Sequence, residues 1–376
     1  MSKEKSKLQI AADNIALLVN QTNTKINELG IQANSLNAVL SIIQKQFDKI
    51  RNVPSDTKRE YENAKKVRLE WKCQVDKIES DYDSATKVNL NAGAAGAGLG
   101  VGVVALGPTA AMSIATTFGV ASTGTAISTL SGAAATNAAL AWLGGGTLAA
   151  GGGGMAGGSA LIALSGPVGW TIAGVAIASS SVMFLIAKSE KNRLENVFLN
   201  VSKRDEKKYK LAIIELNERI SRIKGETEKI SSAIVEIGMF GTDYETMTEQ
   251  QQYTLGAYVN FMSASAQLLV DPIMGLQPNY SEKDLESFFF SNSVNPEYRS
   301  EKGKKMIIYF ANLLYKIETE EQDLKLLAKS FRGDKKFLKQ MNLEKEDISL
   351  ELLNLVGKAL RYKKSRMKLF SQSKFE

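Results

Sequence analysis

The sequence predicts an all-α protein: an elongated long-helix bundle carrying a glycine-rich hydrophobic hairpin, plus a smaller C-terminal helical domain. Three observations predict it. Apolar side chains recur at seven-residue or alternating three- and four-residue spacing over three long segments. No convincing strand hairpin interrupts them. Residues 88–187 contain no Asp, Glu, Lys or Arg, whereas an ordinary soluble domain has about a quarter of its residues charged and intersperses them. All 47 basic and 40 acidic side chains therefore lie outside that block.

The first region, 1–87, holds two long helices. Over 8–51, Ile15, Thr22, Leu29, Leu36, Ile43 and Ile50 recur seven apart, and Val19, Ile26, Ala33, Leu40 and Phe47 form a parallel row. This is a sustained heptad stripe, and a helix of that length spans roughly 65–70 Å. Asn52-Val53-Pro54-Ser55 ends it. A second helix over about 56–86 carries Ala64, Val67, Trp71, Val75, Ile78, Tyr82 and Ala85 on one face.

A long return helix occupies 188–237. Ile213, Leu216, Ile220, Ile223, Thr227, Ile230, Ile234 and Ile237 mark its apolar stripe. These stripes read as a bundle core rather than as ligand sites, with the first helix expected to pair with the third. Region 238–376 is expected to form a C-terminal helical domain with a basic tail. A less charged helix covers 246–270. Irregular connection follows through 271–300, where Pro272, Pro278 and Pro296 fall, and shorter helices are expected at 301–317, 320–331, 334–341 and 346–370.

The uncharged block, 88–187, is long enough for several membrane spans, each needing about 20 apolar residues. It holds 21 of the 30 glycines. In water glycine costs a helix roughly 1 kcal/mol against alanine; in lipid, small residues let helices approach closely. The best span is 168–187, which includes Trp170, Ile172, Val175, Ile177, Phe184 and Leu185 and runs into Lys188, Lys191 and Arg193. Other spans are 97–121, with Gly98 and Gly102, and 123–150, with Trp142. Gly144–Gly158 has nine glycines in fifteen residues, Gly154 and Gly158 among them, and reads as a turn or close crossing. Lysines flank both ends, so an even number of crossings is expected, preferably two. A hairpin buried inside a soluble protein is the competing reading for the resting molecule.

Composition also excludes chemistry. There is no histidine, and Cys73 is the single cysteine. A histidine-dependent triad, an intrachain disulfide and a thiolate cluster are therefore ruled out. Gly100-x-Gly102-x-x-Ala105 lacks the acid that a dinucleotide fingerprint needs about 20 residues on. Gly303-Lys304 and Gly357-Lys358 lack the rest of a P-loop. No catalytic residue, metal site, cofactor or small-molecule substrate is expected, and the chain reads as a non-enzyme. The start, MSKEKSK, has no apolar signal-peptide core behind it.

Between Glu351 and Glu376 there is no acid, but there are Arg361, Lys363, Lys364, Arg366 and Lys368. Beside Ile348, Leu352, Leu353, Val356, Leu360, Met367 and Phe370 they describe a basic amphipathic helix suited to anionic lipid. The preferred plainer reading is a surface helix of the C-terminal domain. No nucleic-acid reader motif accompanies the charge, so no nucleic acid is expected as partner.

Long heptad helices flanking a charge-free glycine-rich hairpin resemble the α-helical pore-forming toxins of the cytolysin A and haemolysin BL type, and the apolipoprotein L-like proteins. The run Thr123–Gly158 resembles a segment of uncharacterised bacterial proteins of that membrane-active sort. The resemblance is architectural over 1–237, and in the cytolysin A type the hydrophobic element is shorter. It implies a bacterial, membrane-associated protein, made without a signal peptide, that permeabilises or remodels a lipid bilayer as a homo-oligomer, as a pore-forming toxin or a cell-suicide effector. The alternative is a permanently anchored structural protein whose coiled helices bind partners.

Overall fold

A computed structural model describes residues 7–91 and 188–372, apart from positions 272, 277, 336 and 339–342. The fold is all-α; among the described residues the only β feature is an isolated bridge between Arg51 and Asp243. The principal helices are α1 (Lys7–Phe47), α2 (Ser55–Asn91), α3 (Lys188–Ile237), α4 (Glu249–Leu268), α5 (Glu282–Ser291), α6 (Glu301–Leu314), α7 (Glu321–Gly333) and α8 (Leu350–Gln372).

Helices α1 and α3 pair as expected, and they run parallel. Leu8 shares a buried cluster with Leu194, Val197, Phe198 and Val201. Ile15 and Leu18 meet Tyr209, Glu28 bonds Lys224 at 3.0 Å, and Gln46 lies beside Gly238. Residue numbers thus rise together along both helices. The heptad stripe forms the seam: Ile15, Ile26, Leu29, Ala33, Leu36, Leu40, Ile43 and Phe47 are buried, opposite Leu216, Ile220, Ile223, Ile230 and Ile237. Each fully buried aliphatic side chain contributes about 1.5–3 kcal/mol. At 1.5 Å per residue, α1 makes the rod about 60 Å long.

The distal end of the rod is fastened by backbone. After Phe47 the chain makes a short turn, and Asn52 takes a left-handed φ of 61°. Arg51 N–H donates to Thr242 O at 2.9 Å, and Tyr244 N–H donates to Arg51 O at 3.0 Å. The Asn52 amide donates to Asp243 at 3.0 Å.

From there α2 and α4 both turn back. Tyr61 donates to Gln44 O at 2.8 Å, and Arg68 to Gln44 Oε1 at 2.6 Å and Asn37 at 3.2 Å. These bonds set α2 antiparallel to α1. Helix α4 starts with a Thr248–Gln251 capping box and descends α3. Tyr258 donates to Glu236, Ser265 to Glu226 at 2.9 Å, and Arg219 to Leu268 O at 3.1 Å. The first core is therefore a four-helix bundle ending at Leu276. Its last turn presses on α3: a Cβ on Gly275 would lie 2.7 Å from Ala212 Cα.

A second core starts at Tyr280 and contains α5 to α8, together with the first turns of α1 and α3. The sequence division at 238 thus does not coincide with the division between cores. The expected irregular connection over 271–300 in fact contains α5. A Ser281–Asp284 capping box starts that helix, and Leu285, Phe288 and Phe289 bury its inner face. The prolines bracket this short helix without falling inside it.

Two substitutions test the architecture. Leu36→Asp with Ile43→Asp places two charges at positions with no solvent exposure, and unpaired buried charge is strongly unfavourable. The cooperative melt is expected to disappear by circular dichroism; a wild-type melt would show that the stripe does not pack. Gly275→Ala is expected to destabilise by about 1–3 kcal/mol in urea unfolding, because overpacking forces backbone shifts.

Candidate functional site

The candidate site is the end of the rod where the charge-free segment joins it. Helix α2 leads back toward the end at which α3 begins. Helix α3 starts there with Glu190 in its first turn, a favourable place for an acid against the helix dipole.

Two arginines of α3 fix this end to the second core. Arg193 Nε donates to Asp323 Oδ1 at 2.5 Å, and its Nη2 donates to Glu320. Those carboxylates also form the capping box at the start of α7, and Asp323 is buried. Arg204 Nη1 donates to Leu313 O at 2.9 Å and Tyr315 O at 2.7 Å, at the end of α6. A cation at a helix C-terminus satisfies carbonyls that the helix itself leaves open. The link between α6 and α7 is thus held from both sides by α3. Lys329 stands 3.8 Å from Glu190 and adds an outer pair.

Further along α3, Asp205 accepts from Arg204 Nε at 2.7 Å and is buried. Burial pushes the neighbouring Lys208 ammonium down to about 8; Asp205 opposes that shift and Arg204 adds to it. This charged layer lies where the two cores meet along α3.

The residues picked from the sequence fall in two groups. Gly98, Gly102, Trp142, Gly154, Gly158, Trp170, Ile172, Val175, Ile177, Phe184 and Leu185 lie outside the described residues. The basic residues sit on α8. Ile348 just before it, and Leu352, Leu353 and Val356 within it, are buried in the second core, so this part of the apolar face is already covered. Lys363 is drawn inward, donating to Asn279 O at 2.7 Å and Asp284 at 2.6 Å. Arg366 lies over the Tyr362 ring. Arg361 and Lys364 are exposed, and the Lys368 side chain lies outside the described residues. Met367 is 55 % exposed.

Sequence reasoning read Arg193 only as a flanking charge and missed Arg204 and Asp323. One signal was present: Asp205 occupies the apolar row Leu194, Phe198, Val201, Tyr209, where a charge implies a buried partner. Among the described residues no helix is long and apolar enough to cross a membrane, and no cluster of His, Cys, Asp or Glu could hold a metal ion. Comparison with family models, curated proteins and solved structures finds no match to this chain.

Lys208 gives a pH prediction with a definite sign. Its amine titrates at about 10.4 in the unfolded chain and about 8 in the folded one. Between those values the unfolded chain binds more protons, so stability rises with pH. Below about pH 8 both states are charged and the dependence vanishes. Above about pH 10 the trend reverses, because burial holds the Tyr61, Tyr280 and Tyr309 hydroxyls above their ordinary range. Urea midpoints are expected to climb from about pH 8 to about pH 10, and Lys208→Met to flatten that climb.

Proposed function

We propose that this chain is a helical membrane-inserting protein that permeabilises or remodels a lipid bilayer. The observation that carries the reading is the hundred-residue stretch, 88–187, with no formal charge. A water-facing surface that size without charge is unusual, and the glycine-rich composition suits close helix packing in lipid. Geometry adds support. Helix α2 runs back along α1 and α3 begins beside the start of α1, so the rod delivers both ends of the segment toward one end. A segment that leaves and returns on the same side crosses a bilayer an even number of times. The described helices then serve as the part that stays in water.

The reading is tested by dye release from liposomes treated with purified protein. Release is expected from the wild type. Ala176→Arg, near the middle of 168–187, is expected to abolish it while far-UV helicity is kept, because a central arginine costs about 2.5–3.5 kcal/mol on insertion. Release by the folded variant would show that this span does not insert. A wild-type chain that binds liposomes without releasing dye would favour the anchored structural protein.

A further inference from the structure

The outer face of α1 differs from the other exposed helix faces of the rod. Helix α1 carries five charged side chains in 41 residues: Lys7, Asp13, Lys25, Glu28 and Lys45. Helix α2, also on the outside, carries sixteen in 37. The unusual feature is where the apolar residues of α1 stand. Beyond the buried seam, a second row recurs seven apart: Ile10, Leu17, Thr24, Ile31 and Ala38. Each lies two residues after a seam position, which places it on the opposite side of the helix from α3. All five are exposed, with Leu17 at 58 % and Ile10 at 49 %. Ile42, one turn beyond Ala38, is also 49 % exposed. Lys45 closes the row.

We infer that this row is a contact surface for a second copy of the chain, laid parallel to the first. A seven-residue recurrence keeps one side of a helix turned toward one neighbour along its length; here it sets Ile10, Leu17 and Ile31 in a line, with Thr24 between them and polar residues on either side. The face suits its own copy in charge as well. From Ile10 to Ile42 no residue of the row is charged; Lys45, an exposed charge at its far end, marks where the contact stops, and the nearby Lys25 and Glu28 already pair within one chain at 2.9 Å. A two-fold axis along the rod then sets Leu17 against Leu17 and Ile31 against Ile31, the self-complementary arrangement of a symmetric dimer. From Ile10 to Ile42 the row is about 50 Å long, and a helix face is about 10 Å wide. Two such faces bury a total on the order of 1,000 Å², the lower end for a specific interface. The contact itself stands on the exposed row alone. Its parallel sense rests on the proposed function, because only then do both charge-free segments face one bilayer.

The chain's single cysteine makes the test direct. In the full chain carrying Cys73→Ser, Leu17→Cys and Ile31→Cys are made separately and oxidised mildly in solution, without lipid. Each variant alone is expected to form a disulfide-linked dimer. Cross-linking only in a mixture of the two would mean antiparallel chains and overturn the proposal. So would an intramolecular disulfide in a chain that combines Ile31→Cys with Ala176→Cys, which would show the face covered by the chain's own segment. The double variant Leu17→Asp, Ile31→Asp is expected to weaken self-association in sedimentation by ~10-fold or more with its melt unchanged. A monomeric wild type at concentrations well above micromolar, with no cross-link, would also overturn it. Dye release is scored separately: release without cross-links removes this interface and leaves the membrane reading standing, and cross-links without release do the reverse.

Discussion

The structure depends on the seam between α1 and α3. Two helices of 41 and 50 residues lie parallel, and nearly every apolar side chain of their facing rows is buried. All the other parts use that pair as a surface. Helices α2 and α4 lie along it, the distal loops are fastened to each other across its far end, and α5 to α8 gather around its near end. Because both cores draw on α3, the rod and the C-terminal domain share one continuous helix rather than meeting through a linker.

That sharing explains where the charges go. A helix that crosses from one core into another must pass a boundary where apolar packing is incomplete. The boundary here is filled by Arg204, Asp205 and Lys208, with Arg204 reaching backbone carbonyls at the end of α6. An arginine suits this place because its several donors satisfy two carbonyls and a carboxylate together. Arg193 performs the related task for α7, at the opposite kind of helix end. Neither contact adds much as an isolated ion pair. Their effect is to fix the rotational setting of α3 against the second core.

The long helices were legible in the sequence because their signal is local and repeated. Leu29, Leu36 and Ile43 announce a buried face whatever covers it. What the pattern could not show was direction, since a heptad row fits a parallel or an antiparallel partner; the bonds from Glu28 to Lys224 and from Arg51 to Thr242 decide that. Helix α5 was hidden because ten residues among prolines carry too few turns for periodicity to register. The arginine contacts at the candidate site were hidden for another reason. Arg193 and Asp323 are 130 residues apart, and two of the groups that Arg204 reaches are backbone carbonyls, which have no sequence identity. The charge-free block was the plainest signal of all, and it needed no fold to be read.

The parallel sense of α1 and α3 has a consequence for how the chain is made. Some 140 residues separate the end of α1 from the start of α3. Closing a loop of that length carries an entropy cost of about 4 kcal/mol, so the pair is a late, long-range contact. During synthesis at about 5–20 residues per second, α1 waits for roughly 10–40 s with its apolar row uncovered. The whole uncharged segment emerges before the helix that completes the rod. The nascent chain thus has the most apolar surface lacking its partner helix just before it becomes foldable.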